Sequence, residues 1–179
     1  NGHYQPKGSV FTITFDSLYV GTSRLEGVER VENIGKDSEG NSIFDVKISD
    51  GKLSGNNSQV LYTEASTRTW MLNSKDTTNS NAHKYNIVVK KAESTVEGQV
   101  YQLKSLEDKP IVFQVGQYPS EGELQVTLKD AFTYTVPGLA QAIQLNTYFI
   151  RYTENNQVQC YVYIGLLNKY VTIGTYKLF

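Results

Sequence analysis

Residues 147–164 read TYFIRYTENNQVQCYVYI: two runs rich in Tyr, Val, Ile and Phe flank the turn formers Glu154, Asn155 and Asn156. This pattern predicts an antiparallel hairpin, and the side-chain period of two lets its register be argued. A two-residue turn at Asn155 and Asn156 sets Arg151 against Cys160 and Thr153 against Val158, mixing polar and apolar groups on one face. A three-residue loop, Glu154 to Asn156, instead pairs Ile150 with Cys160, Tyr152 with Val158 and Tyr148 with Val162. One face is then apolar, and the other carries Phe149, Arg151, Gln159, Tyr161 and Tyr163. A one-residue slip turns every side chain over, so segregation selects the three-residue loop. Asn156 then takes the left-handed conformation that Asn tolerates.

The same alternation recurs along the chain. Phe11, Ile13 and Phe15 alternate with Val10, Thr12 and Thr14. Phe44, Val46 and Ile48 form a second inward set and Leu124, Val126 and Leu128 a third, while Tyr85, Ile87 and Val89 share one side of a further strand. Further strands are expected at 59–64, 67–72, 99–103, 110–115, 131–136 and 170–179. Residues 23–33 fit two periods: Leu25, Val28 and Val31 recur every third residue, whereas a strand puts Arg24, Glu26, Val28, Arg30 and Glu32 on one face. Gly27 weakens a helix by about 1 kcal/mol. The segment is therefore read as an edge strand whose charges discourage aggregation.

Turn and loop composition marks 35–41, 49–58 and 73–84, and Asn56-Asn57-Ser58 matches a glycosylation acceptor pattern. One short helix is expected at 137–146, where Pro137 suits the first turn and Leu139, Ala142, Ile143 and Asn146 share a face. The chain shows no repeat and no linker. It reads as a single mainly β domain, 1–179, of antiparallel strands with one short helix and an irregular arm at 1–8.

Composition then narrows function. With 17 basic and 18 acidic residues, net charge −1, no field draws the chain to nucleic acid or to an anionic membrane. No apolar run approaches a membrane span, so direct insertion is not expected, and no signal peptide is visible. Starting at Asn1, the chain is expected to be an excised fragment or a mature product. The lone Cys160 permits no intrachain disulfide and fits a reducing assembly compartment, with a bacterial surface as the alternative. In phase with Val158 and Val162, it reads as a small buried hydrophobe.

The two histidines, His3 and His83, lie in no triad, and no zinc, calcium or phosphate-loop motif occurs. No catalytic residue, metal or cofactor is expected. A β-sandwich glycosidase needs two carboxylates across a cleft; Asp45 and Glu123 lie on strands, and this stands as the third reading. Sugar recognition needs an aromatic plate for C–H faces and planar donors for hydroxyls. Two sets qualify: Arg68 with Trp70, beside the polar loop at 73–84, and Phe149, Arg151, Gln159, Tyr161 and Tyr163 on the outer hairpin face. Trp is more often core than platform, and the hairpin aromatics can equally pack on a helix or second sheet.

Gly2, Tyr4, Gln5 and Pro6 of the leading arm resemble the Gly-x-Tyr-Gln-Pro segment that opens the head domain of rotavirus spike proteins. Such heads bind host-cell glycans and are proteolytically separated from the spike stalk. Two folds follow from the resemblance. The helix candidate at 137–146 favours the group B arrangement, a twisted antiparallel sheet packed around one short helix; the alternative is the galectin-like two-sheet sandwich of groups A and C. The resemblance implies a glycan-binding attachment domain on the virion surface, with host-cell glycan and the rest of the spike as partners. It carries over no binding residue, because the group A sites have no matching positions here. A structural or protein-interaction module of a surface or capsid assembly is the second reading.

Overall fold

A computed structural model describes residues 6–55, 59–73, 83–106, 108–136, 138 and 141–178. Eleven strands form one antiparallel sheet: β1 (Val10–Val20), β2 (Ser23–Lys36), β3 (Ser42–Ser54), β4 (Val60–Asn73), β5 (Lys84–Val96), β6 (Gln99–Ser105), β7 (Ile111–Gln114), β8 (Glu123–Thr135), β9 (Ala142–Thr153), β10 (Gln157–Ile164) and β11 (Lys169–Lys177). The strands follow one another across the sheet in chain order, except that β7 leaves the path and pairs with β5. Along β5, Ala92 to Val96 pair with β6, and Lys84 to Ile87 pair with β7. The mainly β, antiparallel expectation is met. Among the described residues there is no second sheet and no α-helix, only a single 3-10 turn, Gly165–Leu167.

The helix expected at 137–146 is corrected where it is described. Ala142 to Asn146 lie in β9, and Pro137, Leu139 and Ala140 fall outside the described residues. AIQLN fits both a helical and an alternating period. The alternating one wins because it turns Ile143 and Leu145 toward Val136, Val162 and Ile164, a buried face that a two-turn helix does not secure by itself. The edge-strand reading of 23–33 is corrected too, since β2 is paired on both sides, with β1 and with β3. Its charges neutralise one another along the strand: Arg24 meets Glu26 at 2.7 Å and Arg30 meets Glu32 at 2.8 Å. The segments at 59–64 and 67–72 are one strand, β4, and β3 runs through Asp50 and Gly51 to Ser54, shortening the loop placed at 49–58. The pattern Asn56-Asn57-Ser58 lies outside the described residues, as do Gly2, Tyr4 and Gln5 and most of the polar loop at 73–84.

Two apolar clusters organise the sheet. The first gathers Ile87, Val89, Ala92 and Leu124 with Trp70, Leu103, Phe113, Ile150 and Tyr152. It draws on strands from β4 to β9 along one side of the sheet. The second gathers Val136, Val162 and Ile164 with Phe132, Leu145, Tyr148 and Val171. The inward sets hold in part: Val46, Leu124 and Val126 are buried and Ile87 and Val89 sit at the first cluster, whereas Phe44, Ile48 and Leu128 are half-buried. At the margin the same alternation gives less burial, and Phe11 on β1 stays 56% exposed.

Candidate ligand-binding site

The 147–164 hairpin has the register its side chains demand. Thr153 pairs with Gln157, Tyr152 with Val158, Ile150 with Cys160 and Phe149 with Tyr161 around Glu154, Asn155 and Asn156. Asn155 and Asn156 are both left-handed, with φ of 63° and 56°. The apolar side of β9 turns Ile150 and Tyr152 into the first cluster. The other side builds rows across three strands. Glu123, Arg151 and Gln159 are successive partners on β8, β9 and β10, and Gln125, Phe149 and Tyr161 form the next row. A third row pairs Tyr163 with Tyr170 of β11.

Glu123 is the hub of this face. Although it alternates with half-buried polar neighbours, it is only 4% exposed. Its Oε1 accepts from Arg151 Nε at 2.6 Å and from Lys109 Nζ at 2.9 Å, and the Tyr161 hydroxyl donates to Oε2. Burial pushes the Glu123 carboxyl up, but the hydrogen bonds from Tyr161, Lys109 and Arg151 and the Arg151 charge outweigh it, and the group sits below the usual carboxylate range. The same contacts raise Arg151, chiefly through its bond to Glu123. Tyr161 is raised by burial first and by the adjoining carboxylate second. The hub is thus an ionised carboxylate holding two cations and a neutral phenol.

An aromatic set adjoins the hub. Phe149 and Tyr161 stack with centroids 5.2 Å apart at 15°, and the Arg151 guanidinium lies 5.1 Å from the Tyr161 centroid. Tyr170 meets Phe149, Tyr161 and Tyr163 at 5.6, 5.4 and 5.1 Å. Its ring and that of Tyr163 stay 60% and 42% exposed, whereas Tyr161 is buried. The Tyr163 hydroxyl donates to Asn168 Oδ1 at 2.5 Å, and Asn168 closes the 3-10 turn with φ of 47°. On the other flank of the hub is an open cleft of about 420 Å³ lined by Asn86, Asp108, Lys109, Glu121, Glu123 and Arg151, among others.

The structure therefore brings Phe149, Arg151, Gln159, Tyr161 and Tyr163 onto one face, and adds Glu123, Lys109 and Tyr170. It does not bring Arg68 and Trp70 to them. Arg68 is ion-paired with Glu64 and also donates to Ser66 Oγ at 3.2 Å, a ladder along β4 that includes Tyr62. Burial pushes Glu64 up, but Ser66, the Arg68 charge and Tyr62 hold it low. Trp70 packs on the first cluster, edge-on to Tyr85 at 6.2 Å. Its Nε1 is buried with no hydrogen-bond partner among the described residues. Trp70→Phe keeps a six-membered aromatic ring and removes that unsatisfied donor, so the donor's relief offsets part of the small gap left and denaturation should show a loss of about 1 kcal/mol. Trp70→Ala is expected to cost about 3–5 kcal/mol. Equal losses would mean that the indole N–H, rather than packing, anchors this residue.

Among the described residues no group of three or more His, Cys, Asp and Glu side chains is placed to hold a metal ion, and no helix is long and apolar enough to cross a membrane. No family model matches the chain, and no curated protein or solved structure matches it significantly.

Proposed function

We propose that this chain is a glycan-binding receptor-attachment domain, the head of a viral spike protein displayed on the outer capsid. The observation that carries the reading is the half-exposed Tyr163–Tyr170 pair backed by Phe149 and Tyr161 and bordered by Arg151. Exposed phenol rings offer apolar faces to the C–H side of a sugar, and Asn168 holds the Tyr163 hydroxyl in place. Arg151, Gln159 and Asn168 supply planar donors and acceptors at the border. Arg151 is fixed by Glu123 before any ligand arrives, which lowers the entropic cost of ordering it. Nothing in this arrangement asks for a proton transfer: the Glu123 carboxylate is ionised and fully engaged, which suits a general acid poorly. The rest of the spike and a host-cell glycan are the partners in this reading.

A glycan array probed with the chain is expected to give saturable signals. Tyr170→Ala removes one exposed ring worth about 1 kcal/mol and should weaken them roughly five- to tenfold with the fold unchanged. A blank array with the intact chain would overturn the reading. The second reading, a protein-interaction module of a viral or bacterial surface assembly, is favoured by a different observation: the apolar groups left exposed on β1, at the opposite edge of the sheet.

A further inference from the structure

We infer that β1 is a self-association edge, and that two copies of this chain pair β1 to β1 antiparallel about a two-fold axis at Ile13. The inference stands apart from the glycan reading and rests on the edge itself. Among the described residues, only β2 pairs with β1. An unpaired strand is a template for another chain, and edges are normally blunted by Lys, Pro or an inward charge. The opposite edge, β11, carries Lys169 and Lys177 at its ends and is bulged at Cys160–Tyr161 of its partner strand. The β1 sequence, VFTITFDSLYV, has no Lys, Arg or Pro and a single charge, Asp16. Val10, Phe11, Leu18 and Tyr19 are 48%, 56%, 47% and 65% exposed. In total the chain exposes 11545 Å². A compact chain of its 20.1 kDa exposes roughly 8,700 Å². That surplus, about a third, marks a sheet left uncovered over much of its surface.

The occupant is named by the sequence. Residues 11–15 read FTITF, the same in both directions. Antiparallel pairing centred on Ile13 sets Ile13 against Ile13 of the second copy, Thr12 against Thr14, and Phe11 against Phe15. Like meets like, in combinations that stabilise cross-strand pairs. The two-fold runs perpendicular to the sheet, so the row of Phe11, Ile13 and Phe15 continues into the copy on the same face. The regular segment ends where the register shifts between Phe15 and Leu18, with Ser17 at φ 63°. A pairing centred further along would have to cross that bulge, and a one-residue slip would set Phe against Thr.

Sedimentation velocity of the chain at rising concentration is expected to show monomer–dimer exchange. The double variant T12K/T14K sets lysine against lysine in both flanking pairs and should weaken the dimer about tenfold or more. T12K/T14E sets lysine against glutamate in the same register and should restore it. Thr12 and Thr14 are exposed in the monomer, so neither variant disturbs the core. Oxidation of I13C should give a covalent dimer, and oxidation of F11C and of the unaltered chain should not. A chain that stays monomeric at every concentration overturns the inference. So does a dimer indifferent to T12K/T14K, and a T12K/T14E variant that remains monomeric overturns the register.

Discussion

Denaturation of the Glu123→Gln variant is expected to show a loss of about 2–3 kcal/mol, the largest for any single polar change on the candidate face. Glutamine keeps the shape of the side chain and removes the charge that three donors converge on. Breaking a buried ion pair by removing one partner costs about 3–5 kcal/mol. The figure is lowered here because Arg151 and Lys109 are 45% and 41% exposed, and water screens what they lose. The pH dependence has a fixed sign. Glu123 has a folded pKa below its unfolded value, so its stabilisation is fully present above the ordinary carboxylate range, about 4.3, and drains away as pH falls through the folded value. Glu64, depressed in the same direction, acts in the same window. The gap between wild type and Glu123→Gln should therefore narrow on acidification from neutral pH toward about pH 3. Coincident unfolding curves at neutral pH would show that the carboxylate is not the anchor of this face.

The second large effect is at Gly122, the residue before that carboxylate. Its φ is +113°, and a Cβ there would lie 2.5 Å from the Pro110 carbonyl oxygen and 2.6 Å from Ile111 Cα. Both are backbone atoms and cannot swing aside. The Gly122 carbonyl accepts from Tyr152 N–H at 2.9 Å, and Glu123 N–H donates to the Lys109 carbonyl at 3.1 Å. Relief of the clash would thus move both walls of the cleft. Gly122→Ala is expected to cost about 3 kcal/mol or more, a fall in Tm of about 6–12 °C for a chain of this size. Gly98→Ala separates strain from collision, because φ there is +82° but nothing lies within 4 Å; about 1 kcal/mol is expected. Equal losses at the two glycines would refute the collision at Gly122.

How much was legible depended on how local the cause was. The hairpin register followed from alternation over residues 148–162 and a turn of Asn residues, all within one stretch. Residues 142–146 misled because AIQLN satisfies two periods, and the deciding partners, Val136, Val162 and Ile164, lie elsewhere in the chain. The place of β2 is hidden because its charges pair along their own strand, which makes a strand paired on both sides resemble a solvated edge. Glu123 was noted only as a strand carboxylate. Its donors lie 14, 28 and 38 residues away, at Lys109, Arg151 and Tyr161, and no spacing in the sequence signals such convergence. Trp70 resembles half of a binding pair because Arg68 shares its strand face, yet the first cluster claims the indole and Glu64 claims the guanidinium.

The chain-order path of the strands also bears on how the molecule assembles. Among the described residues every ladder joins a strand to the next one in sequence except two, β6 with β8 and β5 with β7. Each step closes a short loop, so little chain entropy is lost before contacts repay it. The sheet can grow outward hairpin by hairpin from the middle strands around Ile87 and Leu124, and come apart in the reverse order. Its margins, β1 and β11, are each held by one neighbour among the described residues, and hydrogen exchange is expected to be fastest there. The outer rim of the tyrosine face thus sits on the part of the sheet whose ordering a bound ligand or a second chain would influence most.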